Sequence, residues 1–328
     1  MRILVTGGAG YIGSHTARLL AENGHEAVVY DNLSRGHPWA VRWGPLVKGD
    51  LAERELLTKT LMDYRIEAVV HFAAFALVGE SMQQPELYFR NNTLGSLALL
   101  ESMQRAGVAS IVFSSTCATY GNPERLPLRE DHPTRPVNPY GESKLMTEKM
   151  LRWFEECHGL RWTALRYFNA CGAHPDGDLG EWHDPETHLI PNILRAITGE
   201  IPHLEVYGTD YPTPDGTAIR DYIHVLDLAE AHLKALEHLG HGGECGVWNL
   251  GTGKGHSVRE VVRVVEEVTG RKVPLKECPR RPGDPPELVA DPQRAMAKLG
   301  WKPRWSSIEL VVETAWKWET RKASLAAH

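Results

Sequence analysis

Cysteine is scarce and unpatterned in this chain. Five thiols in 328 residues, Cys117, Cys157, Cys171, Cys245 and Cys278, form no C-x-x-C pair and no framework spacing. That excludes a disulfide scaffold and fits a reducing compartment, so a cytoplasmic location is expected. No apolar run approaches membrane-spanning length, and no membrane partner is expected. Lys and Arg number 36 against 42 Asp and Glu, a formal net charge of −6 with no basic run. A general affinity for nucleic acid is therefore not expected. Met1-Arg2 runs straight into Ile3-Leu4-Val5, too short a lead for a signal peptide. Internal repeats and low-complexity stretches are also lacking. What is present is an ordinary globular composition, 42% apolar and 24% charged, on a length that suits one large or two medium domains.

Residues 3–6 read as a buried strand leading into Gly7-Gly8-Ala9-Gly10-Tyr11-Ile12-Gly13, with a helix over 14–23 and a second strand over 26–30. Glycines in such a loop let backbone N–H groups approach a pyrophosphate at a helix N-terminus. A tight turn without a ligand is the alternative. The strand before, the helix after and Asp31 at the end of the second strand favour a dinucleotide. The Asp31 carboxylate suits a ribose diol and repels a 2′-phosphate, which favours NAD over NADP, although Arg35 stands close enough to blur that preference.

Residues 46–48 form a short strand ending at Gly49-Asp50-Leu51. Asp50 suits either an acceptor for adenine or the N-cap of a helix over 53–61. Residues 68–74 form a buried strand ending in small residues, which let a cofactor lie close; His71 reads as a packed strand residue. A long helix over 85–105 contains Asn91 and Asn92, poor helix formers, one of which is expected to bond a loop or the cofactor. The strand over 110–113 brings Ser114-Ser115-Thr116 to the same edge, as turn hydroxyls or as a relay.

A proline-rich loop over 123–139 precedes Tyr140-Gly141-Glu142-Ser143-Lys144. On a helix Tyr140 and Lys144 share a face. A nearby ammonium is expected to lower the tyrosine pKa, and an activated tyrosine can take a proton from a sugar hydroxyl. Y-x-x-x-K alone is too common to carry this reading; the glycine loop and the hydroxyl cluster support it.

After the strand at 161–167 the strand–helix alternation weakens. Residues 173–187 read as loop. His174, His183 and His188 are irregularly spaced with no acidic partner placed to complete a site, so no metal is expected. Residues 188–199 form a helix, 207–220 a loop, 221–225 a strand leading into a helix from 226, and 247–250 a strand closed by Gly251-Thr252-Gly253, read as a turn rather than a second phosphate loop. Ser257 and Glu260 make a capping box. Arg280-Arg281-Pro282-Gly283-Asp284 suits a phosphate clamp or a solvated loop, and an amphipathic helix over 307–320 covers the core. The expected fold is α/β: a Rossmann-type doubly wound parallel sheet over 1–169 and a smaller α/β domain over 170–328, with segments such as 221–240 packing back on the first.

The segments Thr6–Gly13 with Ser14-His15, Asp31-Asn32-Leu33, His71-Phe72-Ala73, Val78-Gly79-Glu80-Ser81, Tyr140-x-x-x-Lys144 and Arg166-Tyr167-Phe168-Asn169 resemble the extended short-chain dehydrogenase/reductase superfamily. Arg220-Asp221-Tyr222-Ile223-His224-Val225, Asn249-Leu250-Gly251 and Arg280-Arg281-x-Gly283-Asp284 narrow the resemblance to its UDP-glucose 4-epimerase family, over nearly the whole chain. The resemblance implies bound NAD, a UDP-hexose substrate epimerised at C4, possible breadth toward UDP-N-acetylhexosamines, a place in galactose metabolism, and a homodimer joined through helices at 85–105 and 141–156, where Ala98, Leu99, Met146, Met150 and Leu151 offer apolar surface or face their own core. It makes Tyr140 the base, with Thr116 and Lys144 beside it. The cofactor positions it implies are Gly7, Gly10, Tyr11, Ile12, Gly13, Asp31, Asn32, Asp50, Leu51, Phe72, Ala73, Ala74, Asn91, Tyr140, Lys144 and Phe168. The substrate positions are Thr116, Tyr167, Asn169, His188, Leu189, Tyr207, Arg220, Arg281, Asp284 and Leu288.

Four positions depart from the family. Thr116 replaces a frequent serine, His188 an asparagine, and Ala76 a lysine near the cofactor. Leu288 is intermediate between the tyrosine that goes with hexoses and the small residue that goes with N-acetylhexosamines. Cys117 and Ala118 stand where related dehydratases carry Asp-Glu, and this disfavours water elimination.

Overall fold

Apolar residues run almost unbroken through the first strands, as a sheet buried on both faces requires; Ile3, Leu4, Val5, Val69 and Val70 are wholly buried. The computed structural model describes residues 1–281 and 283–325, so Pro282 of the cationic loop lies outside the described residues. In chain order the first half comprises β1 (Arg2–Thr6), α1 (Tyr11–Glu22), β2 (Glu26–Asp31), β3 (Leu46–Lys48), α2 (Arg54–Asp63), β4 (Ala68–His71), α3 (Val78–Gln83), α4 (Pro85–Tyr88), α5 (Gly95–Ala106), β5 (Ser110–Thr116), α6 (Pro139–His158) and β6 (Arg161–Tyr167). Then come β7 (Asn169–Cys171), α7 (Leu189–Thr198), β8 (Leu204–Tyr207), β9 (Ile219–His224), α8 (Val225–Gly240), β10 (Gly246–Leu250) and β11 (Gly255–Ser257). The chain closes with α9 (Val258–Thr269), β12 (Leu275–Cys278), β13 (Glu287–Leu288), α10 (Gln293–Leu299) and α11 (Ile308–Leu325).

Seven parallel strands form the main sheet in the order β10-β6-β5-β4-β1-β2-β3. This is the doubly wound Rossmann-type arrangement, with its strand order reversing between β1 and β4, where ligands bind outside the carboxyl ends. Register levels those ends: Thr6 pairs with His71, Thr116 with Tyr167, and Tyr167 with Leu250. One sheet face buries Ile3, Val5 and Val70 with Leu20 of α1 and Leu228 and Leu236 of α8. The other buries Leu4, Val69 and Phe113 with Leu57, Leu99 and Leu151 of α2, α5 and α6. A third core gathers α7, α9 and α11 around Ile193, Val261 and Val311. Beside it, β7, β9, β11 and β13 form a small mixed sheet, and β8 pairs with β12.

The helix expected over 85–105 is interrupted. Residues Phe89–Leu94 form a π-helical turn between α4 and α5. Asn92 explains the break: its side chain accepts from the Phe75 amide and donates to the Phe75 carbonyl and Ser143 Oγ, at 2.8, 3.0 and 3.0 Å. Ala98, Leu99 and Leu151 face the chain's own core, while Leu94 and Trp153 are 56% and 67% exposed. Among the described residues no helix is long and apolar enough to cross a membrane.

Candidate active site

The turn after β1 is shaped by what glycine permits. Gly7 has φ +71°, and a Cβ there would lie 2.6 Å from the Ala73 nitrogen. A Cβ on Gly13 would meet the Gly7 carbonyl oxygen at 2.2 Å. The loop therefore closes on Phe72 and Ala73, whose amides donate to the Thr6 carbonyl. Gly10 caps α1 without a side-chain bond, and no acidic residue stands in the first turn, so the helix dipole faces an open anion position. Tyr11 donates its hydroxyl to the Gly172 carbonyl at 2.5 Å, and Ile12 packs on the sheet.

At the end of β2, buried Asp31 accepts from the amides of Ala9 and Leu33 at 3.0 and 2.8 Å. Burial raises its pKa against those bonds. Asn32 donates to Asp50 Oδ2 at 2.7 Å, and Asp50 Oδ1 accepts from Ala52 N. Asp50 is thus not the N-cap of α2; Glu53 holds that place. Leu51 is buried beneath it. Arg35 is occupied by Glu80 at 2.7 Å and by the Asp184 carbonyl. Asn91 donates to Asn92 Oδ1, and of the two asparagines it is Asn92 that ties down the loop at Phe75. His71, buried between Thr6 and Ser96, is held neutral by burial.

Asn138 starts α6 by accepting from the Gly141 amide at 2.8 Å, a side-chain N-cap with Pro139 at the first position. That fixes Tyr140 beside the end of β5. Burial pushes the Tyr140 phenol up to about 12, against the pull of the neighbouring Thr116 hydroxyl. Lys144 is 2% exposed; its Nζ donates to the Ser114 carbonyl at 2.8 Å and lies 5.0 Å from the Phe113 ring centroid. Burial pulls this ammonium down to about 7, with the Glu148 charge resisting. The expectation that Lys144 lowers the Tyr140 pKa is therefore corrected. The amine points at a carbonyl, and the same burial that raises the phenol drains the charge of the lysine. Tyr167 hydrogen-bonds Ser114 Oγ. Phe168 is buried with Tyr120, Leu128 and Ala290, and Cys117 and Leu288 pack against that cluster.

Across the cleft, Arg220 pairs with Asp284 and donates to its neighbouring Ile219 carbonyl. In register, Leu288 pairs with Arg220. The Arg281 guanidinium lies 4.0 Å from the Tyr207 ring centroid, and Tyr207 donates to Glu205. Asn169 donates to the Asp221 carbonyl. Leu189 opens α7, with His188 as its N-cap. The Gly251-Thr252-Gly253 turn wraps the Asp221 carboxylate, which accepts from the Thr252 and Gly253 amides and the Thr252 hydroxyl; its donors are thereby satisfied within the chain.

Two groupings escaped the sequence reading. Glu148 and Arg166, 1% and 3% exposed, form a buried ion pair, and Ser115 donates to the same carboxylate at 2.6 Å. The signal was the helical step 140, 144, 148. The second grouping corrects an expectation: acidic partners do stand beside the histidines. His188 Nδ1 lies 2.7 Å from Glu181 and 3.1 Å from Glu186. His183 Nδ1 lies 3.1 and 3.7 Å from the same two carboxylates. Burial works to lower both imidazoles, but the two carboxylates hold His183 up at about 9 and His188 at about 10.

A model of the NAD dependent epimerase/dehydratase family matches residues 3–251. The chain is 50% identical over 318 residues to a UDP-glucose 4-epimerase of Halalkalibacterium halodurans, covering 97% of this chain and 95% of that one. Among solved structures it is similar to the UDP-glucose 4-epimerase from Brucella ovis in complex with NAD, with TM-score 0.94 and 53% identity over 96% of this chain and 97% of that one. It is also similar to the UDP-glucose-4-epimerase from Stenotrophomonas maltophila with bound NAD and formylated UDP-arabinopyranose, with TM-score 0.96 and 40% identity over 100% of both chains. With this match and these similarities, the chain belongs to the NAD dependent epimerase/dehydratase family, alongside the UDP-glucose 4-epimerases.

Proposed function

We propose that this chain interconverts UDP-glucose and UDP-galactose, with NAD held at the turn after β1. The observation that carries the reading is that Tyr140, Thr116 and Lys144 converge at the same sheet edge as the glycine turn. That turn fits a dinucleotide: side chains are sterically excluded at Gly7 and Gly13, the α1 N-terminus has no side-chain cap, and Asp31 faces it. Asn32, Asp50, Leu51, Phe72, Ala73, Ala74, Asn91 and Phe168 would line the remaining cofactor contacts. NAD bound there would supply a reversible hydride acceptor for the sugar C4.

The chain's own residues manage the proton and the sugar nucleotide. The Tyr140 oxygen takes the C4 hydroxyl proton and gives it back, and the Thr116 hydroxyl beside it would order that contact. Lys144, behind β5, supplies positive charge whenever it is protonated. Arg220 and Arg281 would neutralise the diphosphate, Tyr207 would stack near uracil, and Asn169, Leu189 and Asp284 would complete the grip, while the His188 ring is turned to Glu181 and Glu186. Tyr167 borders the sugar. Leu288 and Cys117, the neighbour of Thr116, pack against the cluster of Tyr120, Leu128, Phe168 and Ala290, which supports Leu288 as the limit on sugar size. UDP-N-acetylhexosamines are the second substrate class to test.

A cytoplasmic location accords with five free thiols. A homodimer is part of the same reading, supported by the exposed Leu94 and Trp153 at the π-turn and on α6; a monomeric mass by sedimentation would overturn it. The function is tested by incubating the purified protein with UDP-galactose and no added NAD, then separating the products. UDP-glucose as product supports both the reaction and a retained cofactor. No conversion of either UDP-hexose or of their N-acetyl forms, even with NAD added, would sink the reading.

A further inference from the structure

Away from the catalytic edge, the segment joining β7 to α7 folds four metal-ligating side chains onto one point. Glu181, His183, Glu186 and His188 each offer one atom, and these atoms all lie within 4.8 Å of one another. Zinc bonds of about 2.0–2.1 Å in a tetrahedron place neighbouring ligand atoms about 3.4 Å apart. Both imidazole Nδ1 atoms lie near that edge length from a carboxylate oxygen of each glutamate: 2.7 and 3.1 Å from Glu181 Oε1, 3.1 Å from Glu186 Oε1 for His188 and 3.7 Å from Glu186 Oε2 for His183. We propose that Glu181, His183, Glu186 and His188 form a structural site for a divalent transition metal, zinc first among them.

The donor chemistry suits such an ion: two imidazole nitrogens and two carboxylates are ligands of borderline metals, whereas calcium and magnesium prefer oxygen alone. Four protein ligands make a closed set, the mark of a structural rather than a catalytic site. The ligands are held in place from outside. The side chains of Glu181 and Glu186 are 6% and 5% exposed. Glu186 Oε1 accepts from the Thr187 and His188 amides at 2.8 and 2.9 Å, and the Glu181 carbonyl accepts from the Trp318 indole. The side chain of His188, 45% exposed, leaves a route for the ion. A second group, His174, Asp176 and Asp178, is close by. There Arg18 already occupies the cationic position, 2.7 and 3.0 Å from the two aspartates, so no metal is assigned to it.

An ion at this point would tie the segment to both halves of the catalytic cleft. The His183 ring meets Tyr11 edge-on, with centroids 6.2 Å apart, and Tyr11 opens the helix after the glycine turn. His188 caps α7, the helix that presents Leu189.

The test is metal content. The full chain, expressed in zinc-supplemented medium and passed through gel filtration, should carry about one zinc per chain by mass spectrometry. The double variant Glu181→Gln, His183→Gln should lose at least about ninety per cent of it, while Asp176→Asn, in the neighbouring group, should keep it. Cobalt added to the EDTA-treated wild type should give the intense visible bands of tetrahedral coordination, a reading that stands even if the double variant does not fold. Wild type without zinc and without those bands overturns the site. So does zinc content unchanged in a folded double variant, or cobalt bands of weak six-coordinate type.

Discussion

The phenol at position 140 and the amine at position 144 are both driven by burial toward their neutral forms. A neutral phenol is a poor base, so the site needs positive charge close by to release its proton. Tyr140→Phe removes the proton acceptor and leaves the cofactor turn untouched. The expected outcome is a fall in kcat of about 10²–10⁴-fold with unchanged NAD content, read by turnover and by the cofactor released on denaturation. Lys144 carries a second, thermodynamic prediction. Its folded value of about 7 lies below the ordinary 10.5, so the folded chain holds that proton more weakly than the unfolded chain does. Stability from this group is present above 10.5 and is lost as pH falls toward 7. Wild type, freed of cofactor, should therefore gain about 2 kcal/mol relative to Lys144→Met between pH 7 and pH 9. Urea midpoints at the two pH values check this; a constant difference would show that the amine is not desolvated in the fold.

At the scale of elements, α6 carries its chemistry on one stripe: half-buried Tyr140, then buried Lys144 and Glu148. Glu148 fastens the helix to β6 through Arg166 and to β5 through Ser115. Removing one partner leaves a buried guanidinium without its counter-charge. Glu148→Gln should then cost about 3–5 kcal/mol, measured by urea unfolding, and a double replacement of Glu148 and Arg166 by methionine should recover most of that loss. No recovery would mean that Ser115 and the stacking of Arg166 over Tyr120, at 4.7 Å, matter more than the ion pair. The stripe was half legible in the sequence. A four-residue step is visible, but nothing in a single strand announces which arginine will meet it. Three-residue β3 apart, the strands of the main sheet were legible because their apolar runs are long enough to show burial on both faces. Five others were not recognised as strands: β7, β8, β11, β12 and β13 span two to four residues, too few for any period to declare itself. Likewise the π-turn follows from the bonds Asn92 makes to Phe75 and Ser143, which are tertiary.

For the whole molecule, the glycine turn, the small residues after β4 and the hydroxyls that end β5 could be read because each is local and the sheet collects them at one edge. The opposite wall could not be built that way. Arg220 and Leu288 become neighbours only when β9 and β13 pair, and Arg281 reaches Tyr207 through the pairing of β12 with β8. Glu181 and Glu186 meet their histidines only in the folded loop. This wall is carried by short strands and by a loop whose arginines rest on ring faces and carboxylates. Its side chains are therefore free to re-pair with a diphosphate without disturbing the main core. Arg281 makes this testable. Its contact is to the face of Tyr207 rather than to a core residue, so truncation removes a cation while leaving the sheet, the glycine turn and Tyr140 in place. A charge-assisted bond to phosphate is worth about 1.5–3 kcal/mol. Arg281→Ala should therefore weaken UDP binding by about 10–150-fold, with NAD content and melting temperature close to wild type. Calorimetric titration with UDP alone isolates the effect from turnover. An unchanged affinity would take Arg281 out of the clamp and leave Arg220, already paired with Asp284, to hold the diphosphate.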